Sequence, residues 1–180
     1  SRAEMCGNGM RAVGVHLHRR GPNPGQPRYD VLVSAGRAPI PVHIDLSGAY
    51  PEVALGMPTV FDAREKVSID GPSLGLRTST PGLFTRVEIG NPHAVFFMGE
   101  ENPQFGDLGL LDLARVGSYV ETSKLFPNRT NVEFVVAETP SRIRVRVWER
   151  GAGATLACGS GACAAVAAAE ARGLVRAGEK

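Results

Sequence analysis

CGSGACAA at residues 158–165 is the stretch that decides the fold, and CGNGMRAV at residues 6–13 is almost a repeat of it. Each begins with a cysteine and two glycines that flank an Asn or a Ser, and continues with small and apolar residues at helical spacing. We expect each cysteine at the N-terminus of a helix, where unpaired backbone N–H groups and the helix dipole favour a thiolate. Two such thiols indicate two acid/base groups that act on opposite faces of one substrate.

The hydrophobic pattern around these motifs predicts two lobes, each made of strands and one of the two helices. Helices are predicted at residues 7–20 and 159–172, with a further helical pattern between residues 108 and 122. Strands are predicted at residues 29–34, 40–46, 53–55, 83–89, 93–98, 131–137 and 142–149. A loop-rich segment at residues 59–81 is expected near the boundary, so we assign residues 1–60 to the first lobe and 61–180 to the second. The pattern predicts an α+β or mixed α/β fold with internal duplication.

The composition of the 180 residues is that of an ordinary globular protein, with 43% hydrophobic and 21% charged residues. A formal net charge of +2 gives no electrostatic reason to expect nucleic acid or a membrane as a partner. No apolar run approaches the length of a membrane span. Because three cysteines are too few for a disulfide scaffold, we expect a reducing, cytoplasmic compartment.

Inversion at the α-carbon of an amino acid is the chemistry that suits two thiols. A base removes the proton from one face while an acid delivers a proton to the other, and a thiolate and a thiol can exchange these roles. The two helix N-termini would hold the α-carboxylate through backbone N–H groups. Neither a dinucleotide-binding nor a phosphate-binding glycine motif is found, so we expect no cofactor. His16, His18 and His43 lack a metal-ligand spacing, so we expect no metal either.

Four blocks of the sequence resemble diaminopimelate epimerases. They are AEMCGNGMR at residues 3–11, GNPH at 90–93, RTNVEF at 129–134, and ERGAG at 149–153 followed by CGSGAC at 158–163. The resemblance implies a homodimeric isomerase, independent of pyridoxal phosphate, that interconverts LL- and meso-diaminopimelate for lysine and peptidoglycan synthesis. It also implies an α+β fold of two pseudo-symmetric lobes, each a mixed sheet wrapped around a central helix.

The resemblance assigns roles to individual residues. Cys6 and Cys158 would be the two catalytic acid/base groups, and His93 and Glu149 would tune their pKa values. The residues that would bind substrate are Gly7, Asn8, Asn91, Asn131, Glu149, Arg150, Gly159 and Ser160. Those next to the cysteines would hold the α-carboxylate, Glu149 would face the ammonium group, and Arg150 with the two more distant asparagines would face the distal carboxylate. Charge complementarity leads to the same assignment, because a substrate carboxylate is best bound by an Arg and a substrate ammonium group by a carboxylate.

The sequence departs from the family pattern in two respects. Ala154 stands where the family usually has a Glu. Family members also carry segments before the first cysteine motif and after the second helix, so we expect this chain to correspond to a middle portion with an incomplete first lobe.

Two alternatives stay open at this point. A related two-cysteine racemase could act on another amino acid, such as histidine or proline, although Asn8 departs from the C-G-H-G of proline-racemase-like enzymes and Arg150 favours a distal carboxylate. A non-catalytic protein could instead use paired thiols to form a disulfide.

Overall fold

The computed structural model describes residues 6–35, 38–56, 58–76 and 78–176, and the chain divides into two compact units. Unit 1 comprises Ser1–Met57 and Ile89–Asn91, and unit 2 comprises Pro58–Glu88 and Pro92–Lys180. Each unit contains a sheet and one helix that begins directly after a cysteine. The α+β class predicted from the sequence is therefore confirmed.

Unit 1 consists of helix α1 on a three-stranded antiparallel sheet of order β1-β2-β3. Its elements are α1 (Gly7–Arg20), β1 (Arg28–Ala35), β2 (Ala38–Asp45) and β3 (Glu52–Leu55). The helix contacts β2 and β3, and its closest approach is at Gly14, where a Cβ would lie 2.5 Å from Cγ2 of Ile44. Val42 and Ile44 are the fully buried centre of this small core.

Unit 2 is built on a six-stranded sheet of order β4-β5-β6-β7-β8-β9. Its elements are β4 (Thr59–Val67), β5 (Gly82–Glu88), β6 (Pro92–Phe97), α2 (Leu113–Glu121), β7 (Asn131–Thr139), β8 (Arg142–Glu149), β9 (Gly153–Thr155) and α3 (Gly159–Ala171). Strands β6 and β7 run parallel and the other neighbouring pairs run antiparallel. Helix α2 lies in the connection between the two parallel strands, as a parallel pair requires a long crossover.

The two faces of the unit 2 sheet carry different cores, because successive side chains of a strand point to opposite faces. One face packs against α2 through an aromatic cluster, Phe84, Phe96, Phe105, Phe126 and Phe134. The other face packs against α3, which contacts β4 to β8. Small side chains make this close approach possible, since α3 meets the valines of the sheet with four fully buried alanines, Ala164, Ala165, Ala168 and Ala169.

The helices and most strands lie within one to two residues of their predicted positions. The pattern at residues 108–122 yields a shorter helix because Asp112 caps it, with Oδ1 accepting the N–H of Arg115 at 3.1 Å. The expectation of loop at residues 59–67 was wrong, because this polar stretch is strand β4. One of its charged side chains pairs across the sheet, since both carboxylate oxygens of Glu65 accept from the Arg86 guanidinium at 2.6 and 2.7 Å.

Strand β9 was also missed, since three residues are too short to show alternation. Among the residues that the structure describes, none of the α-helices combines the length and hydropathy that a membrane span requires.

Candidate active site

Cys158 is the N-cap of α3, and its extended backbone turns the thiol back toward the helix it precedes. Its Sγ accepts the N–H of Gly161 at 3.4 Å and lies 3.5 Å from the hydroxyl oxygen of Ser160. The side chain is half-buried. The first turn of α3 thus surrounds the sulfur with polar backbone and hydroxyl groups, as the sequence predicts for a thiol at a helix N-terminus.

Cys6 occupies the equivalent position in unit 1, as the N-cap of α1. Its Sγ accepts the N–H of Gly9 at 3.4 Å, and the residue is exposed. Asn8 is oriented by Arg11, whose guanidinium donates to Oδ1 of Asn8 at 2.7 Å and, through Nε, to the carbonyl of Pro51 at 3.2 Å. Gly7 is the first residue of the helix, so its N–H lies at the N-terminal end.

A polar cluster lies on the face of the unit 2 sheet that α3 covers; we call it the α3-face cluster and define it as His93, Asn131, Glu133 and Glu149. Strand alternation and register bring these residues together, because His93 on β6 pairs with Asn131 on β7, and Glu133 pairs with Val147, two residues before Glu149 on β8. The cluster therefore lies at one end of three neighbouring strands.

Glu133 is a residue that the interpretation of the sequence missed. It is fully buried, as is His93, and Nδ1 of His93 lies 2.7 Å from Oε1 of Glu133. Burial raises the pKa of the Glu133 carboxyl, the adjacent His93 lowers it, and Glu149 raises it. The available signal was an acidic residue inside the apolar run NVEFVV at residues 131–136, where a solvated side chain is not expected.

Asn131 ties the ends of the neighbouring strands together. Its amide nitrogen donates to the carbonyl of Pro92 at 2.9 Å, and its Oδ1 accepts the backbone N–H of Arg150 at 2.9 Å. The guanidinium of Arg150 donates to the carbonyl of Asn128 at 3.2 Å. These contacts hold the β8–β9 turn, which carries Arg150, against the start of β7.

Glu149 lies close enough to Cys158 to affect the thiol. Its Oε1 accepts the hydroxyl of Thr155 at 2.5 Å, which orients the carboxylate. Burial raises the pKa of the Cys158 thiol; hydrogen bonds from Ser160 and Gly161 lower it, and the charges of Glu149 and Glu133 raise it further. The protonated thiol is therefore the form of Cys158 that its surroundings favour. The expectation that this helix N-terminus favours a thiolate was wrong for Cys158, because burial outweighs the hydrogen bonds of the first turn.

The predicted site residues are distributed over both units. Unit 2 brings together His93, Asn131, Glu149, Arg150, Cys158, Gly159 and Ser160, at the ends of β6 to β8 and the start of α3. Unit 1 holds Cys6, Gly7 and Asn8 at the start of α1, and it also includes Asn91, which is buried in the turn between β5 and β6. This turn uses Gly90 with φ of 81°, and the N–H of Ile89 donates to the carbonyl of Asn91 at 3.2 Å.

Known proteins similar to this chain bear the same family name. A family model described as diaminopimelate epimerase matches residues 85–180. A protein named diaminopimelate epimerase from Synechococcus sp. (strain JA-2-3B'a(2-13)) is 42% identical to this chain, over 94% of this chain and 59% of that protein. A second protein of that name, from Desulfitobacterium hafniense, is 39% identical to this chain with the same coverage. A third, in Pelotomaculum thermopropionicum, is 41% identical over 93% of this chain and 59% of its own length. The chain thus spans about three fifths of the length of these relatives.

Solved structures show the same fold at low sequence identity. One is a probable proline racemase from Agrobacterium radiobacter K84 with bound carbonate, with a TM-score of 0.62 at 17% identity over 98% of this chain and 54% of that one. Another is a hydroxyproline epimerase from Agrobacterium vitis with bound trans-4-hydroxy-L-proline, with a TM-score of 0.60 at 16% identity and the same coverage. Because the family model matches more than half of the residues, the chain belongs to the diaminopimelate epimerase family.

Proposed function

We propose that this chain carries the two thiols of a cofactor-independent isomerase that interconverts LL- and meso-diaminopimelate, in the synthesis of lysine and peptidoglycan precursors. One observation carries the proposal. In each unit a cysteine caps a helix, and its Sγ accepts the backbone N–H of the glycine three residues later, Gly9 or Gly161, at 3.4 Å in both units. A pair of thiols held alike at two helix N-termini suits proton removal by one and proton delivery by the other.

The remaining N–H groups of the two first turns suit an anionic ligand. The first N–H groups of a helix have no partner within the helix, and they point away from its N-terminal end. In our proposal the backbone of Gly7 and Asn8, and of Gly159 and Ser160, binds the α-carboxylate of the substrate. Negative charge that develops beside this carboxylate when the α-proton leaves is stabilised by the same groups.

Cys158 enters the proposed reaction as the acid. Burial raises the pKa of its thiol, and two nearby carboxylates raise it further, so the group is protonated at neutral pH. A protonated thiol donates its proton to the carbanion, while the other cysteine, Cys6, acts as the thiolate base. The reverse direction exchanges the two roles.

The charged residues beside Cys158 suit the other groups of the substrate. Glu149 offers a carboxylate, oriented by Thr155, to the α-ammonium group. Arg150, with Asn131 and Asn91, is proposed to bind the distal carboxylate, for which a guanidinium fork has the right geometry. The same resemblance leads us to propose a homodimer in the cytoplasm, where thiols stay reduced.

The test measures deuterium incorporation from solvent at the α-carbon of LL- and meso-diaminopimelate by the reduced chain. We expect Cys6→Ser and Cys158→Ser each to reduce incorporation by about 10²-fold or more, because each removes one acid/base group. Cys163→Ser is the matched control, since this exposed cysteine lies on α3 outside the cap, and it should retain wild-type incorporation.

L-Lysine serves as the substrate control, because it differs from diaminopimelate by the absence of the distal carboxylate. The proposal predicts little exchange with L-lysine. Incorporation that survives either cysteine substitution would contradict the two-thiol mechanism, and equal incorporation into L-lysine would contradict the proposed role of Arg150.

A further inference from the structure

Glu133 is a buried carboxyl group for which the proposed function has no role. It is fully buried in the middle of the sheet, where Val95 on β6 and Val147 on β8 flank it in register. Its Oε2 has no hydrogen-bond partner among the described residues. An ionisable side chain in such surroundings costs free energy unless a partner compensates for it, so its presence calls for a specific partner.

The partner is the imidazole of His93. Nδ1 of His93 and Oε1 of Glu133 are 2.7 Å apart, and both side chains are fully buried. In the parallel register His93 lies opposite Asn131, two residues before Glu133 on the same face, so the contact runs diagonally between β6 and β7. The backbone of the sheet thus holds the two groups at hydrogen-bond distance.

The same carboxylate oxygen also lies against the first turn of α3. A Cβ at Gly161 would be 2.9 Å from Oε1 of Glu133, so any larger residue at this position would push the carboxylate away. Gly161 is the residue whose N–H donates to Sγ of Cys158. Glu133 therefore touches both the imidazole and the turn that caps the thiol.

We propose that Glu133 is a positioning residue: its Oε1 accepts the Nδ1 proton of His93 and holds the neutral imidazole in the Nδ1–H tautomer, with Nε2 as the acceptor nitrogen. This inference rests on the proposed epimerase function. In that reaction Nε2 takes the proton of a catalytic thiol as the thiolate forms, and the resulting imidazolium keeps its Nδ1–H bond to the Glu133 carboxylate. The proton returns to sulfur by the same path.

The ionisable groups that face Glu133 come from three elements. They are His93 on β6, Glu149 on β8 and Cys158 at the start of α3. His93 is the group among them that can carry a positive charge, and it lowers the pKa of the Glu133 carboxyl, although the larger effect of burial leaves that pKa raised. A carboxylate bonded to one ring nitrogen determines which nitrogen of a histidine carries the proton.

The test reads the tautomer directly, by nitrogen-15 NMR of the chain with labelled histidine, at a pH at which the imidazoles are neutral. His93→Asn assigns the His93 signals among the four histidines. We expect a pyrrole-type shift for Nδ1 and a pyridine-type shift for Nε2 in the wild-type chain, and reversal of the two in Glu133→Leu, which offers no acceptor. Glu121→Gln, at another buried glutamate that bonds Trp148 and not His93, is the matched control and should leave the signals unchanged.

Glu133→Gln retains the size of the side chain and removes its charge, and it guards against a leucine variant that fails to fold. We expect its kcat for α-proton exchange to fall by about 10²-fold with KM little changed, because the imidazolium loses its counter-charge. A pyridine-type Nδ1 in the wild-type chain, or unchanged exchange in Glu133→Gln, would overturn the positioning role. A wild-type chain with the Nδ1–H tautomer but without exchange would instead contradict the proposed function and leave the tautomer assignment standing.

Discussion

Helices α1 and α3 begin in the same way but pack in different ways. In both, a cysteine is the N-cap, its Sγ accepts an N–H at 3.4 Å, and the donor is the third residue after the cysteine. Yet Cys6 is exposed and Cys158 is half-buried. The cap depends on four consecutive residues, whereas burial depends on what the rest of each unit places beside the cap.

The two helices also present different faces to their sheets. At the sixth residue after the cysteine, Ala12 of α1 is exposed, whereas Ala164 of α3 is fully buried. At the eighth residue after the cysteine, Gly14 of α1 is buried against Ile44, whereas Val166 of α3 is 48% exposed. The repeat in the sequence therefore preserves the cap and not the packing face, since α1 packs mainly on β2 and β3 of a small sheet, whereas α3 packs across β4 to β8.

The groups beneath the two caps differ most. Gly161 lies over the Glu133 carboxylate, which is bonded to His93. At Gly9 the nearest atoms to an added Cβ are those of Cys6 itself, at 3.5 Å. Two carboxylates of the sheet, Glu133 and Glu149, therefore raise the pKa of the Cys158 thiol. The two cysteines look equivalent in the sequence, but their surroundings in the structure differ.

Leucine at the sixth position after each cysteine tests the difference in packing. We expect Ala164→Leu to lower the free energy of unfolding by about 1–3 kcal/mol, because the added side chain has no space against the valines of the sheet. Ala12→Leu should change it by about 0.5 kcal/mol or less, since that position is exposed.

Urea unfolding of the two variants provides the measurement. Fluorescence of Trp148, the chain's single tryptophan, reports on unit 2, and circular dichroism reports on both units. Equal losses of stability for Ala164→Leu and Ala12→Leu would show that the two helices are packed alike.

Alanine in place of the third residue after each cysteine tests the surroundings of the caps. Gly161→Ala places a methyl group 2.9 Å from Oε1 of Glu133 and 3.3 Å from Sγ of Cys158, so we expect a loss of about 1–2 kcal/mol. Gly9→Ala meets atoms at 3.5 Å and should raise stability by up to about 1 kcal/mol, through the reduced entropy of the unfolded chain. The same unfolding measurements apply, and a neutral Gly161→Ala would contradict the close contact with Glu133.

Removal of the Glu149 charge tests the electrostatic difference and has the smallest expected effect. A nearby carboxylate disfavours the thiolate and raises the pKa of Cys158, so Glu149→Gln should lower that pKa. At a fixed pH below the pKa the thiolate fraction then rises, and alkylation by iodoacetamide becomes faster. The measurement is the pH profile of alkylation in a Cys6→Ser, Cys163→Ser background.

Glu138→Gln is the control for this profile, because Glu138 lies at the far end of β7, where it pairs with Arg142 and Arg144. It should leave the profile of Cys158 unchanged. A profile that stays in place or moves to higher pH in Glu149→Gln would contradict the electrostatic effect of that carboxylate.

The fold was predictable wherever the pattern of apolar residues repeats within a few positions. Helix α1 spans the predicted residues 7–20, and β8 spans the predicted residues 142–149, because Ile143, Val145 and Val147 alternate with arginines. Strand β4 was missed because its polar residues look like a loop until Arg86 pairs with Glu65 from the neighbouring strand. That pairing joins residues far apart in the chain, so no local pattern reveals it.

The sequence by itself determined the two caps, the fold class and the family, because a cap needs four consecutive residues and the family motifs are short contiguous blocks. Only the tertiary structure decided that Cys158 is half-buried beside two carboxylates and that Glu133 meets His93. The register between β6 and β7 brings His93 and Glu133 together although they are 40 positions apart in the sequence, and this register follows from the pairing of whole strands. The position of each thiol at a helix N-terminus was therefore visible in the sequence, and the surroundings of the thiol were not.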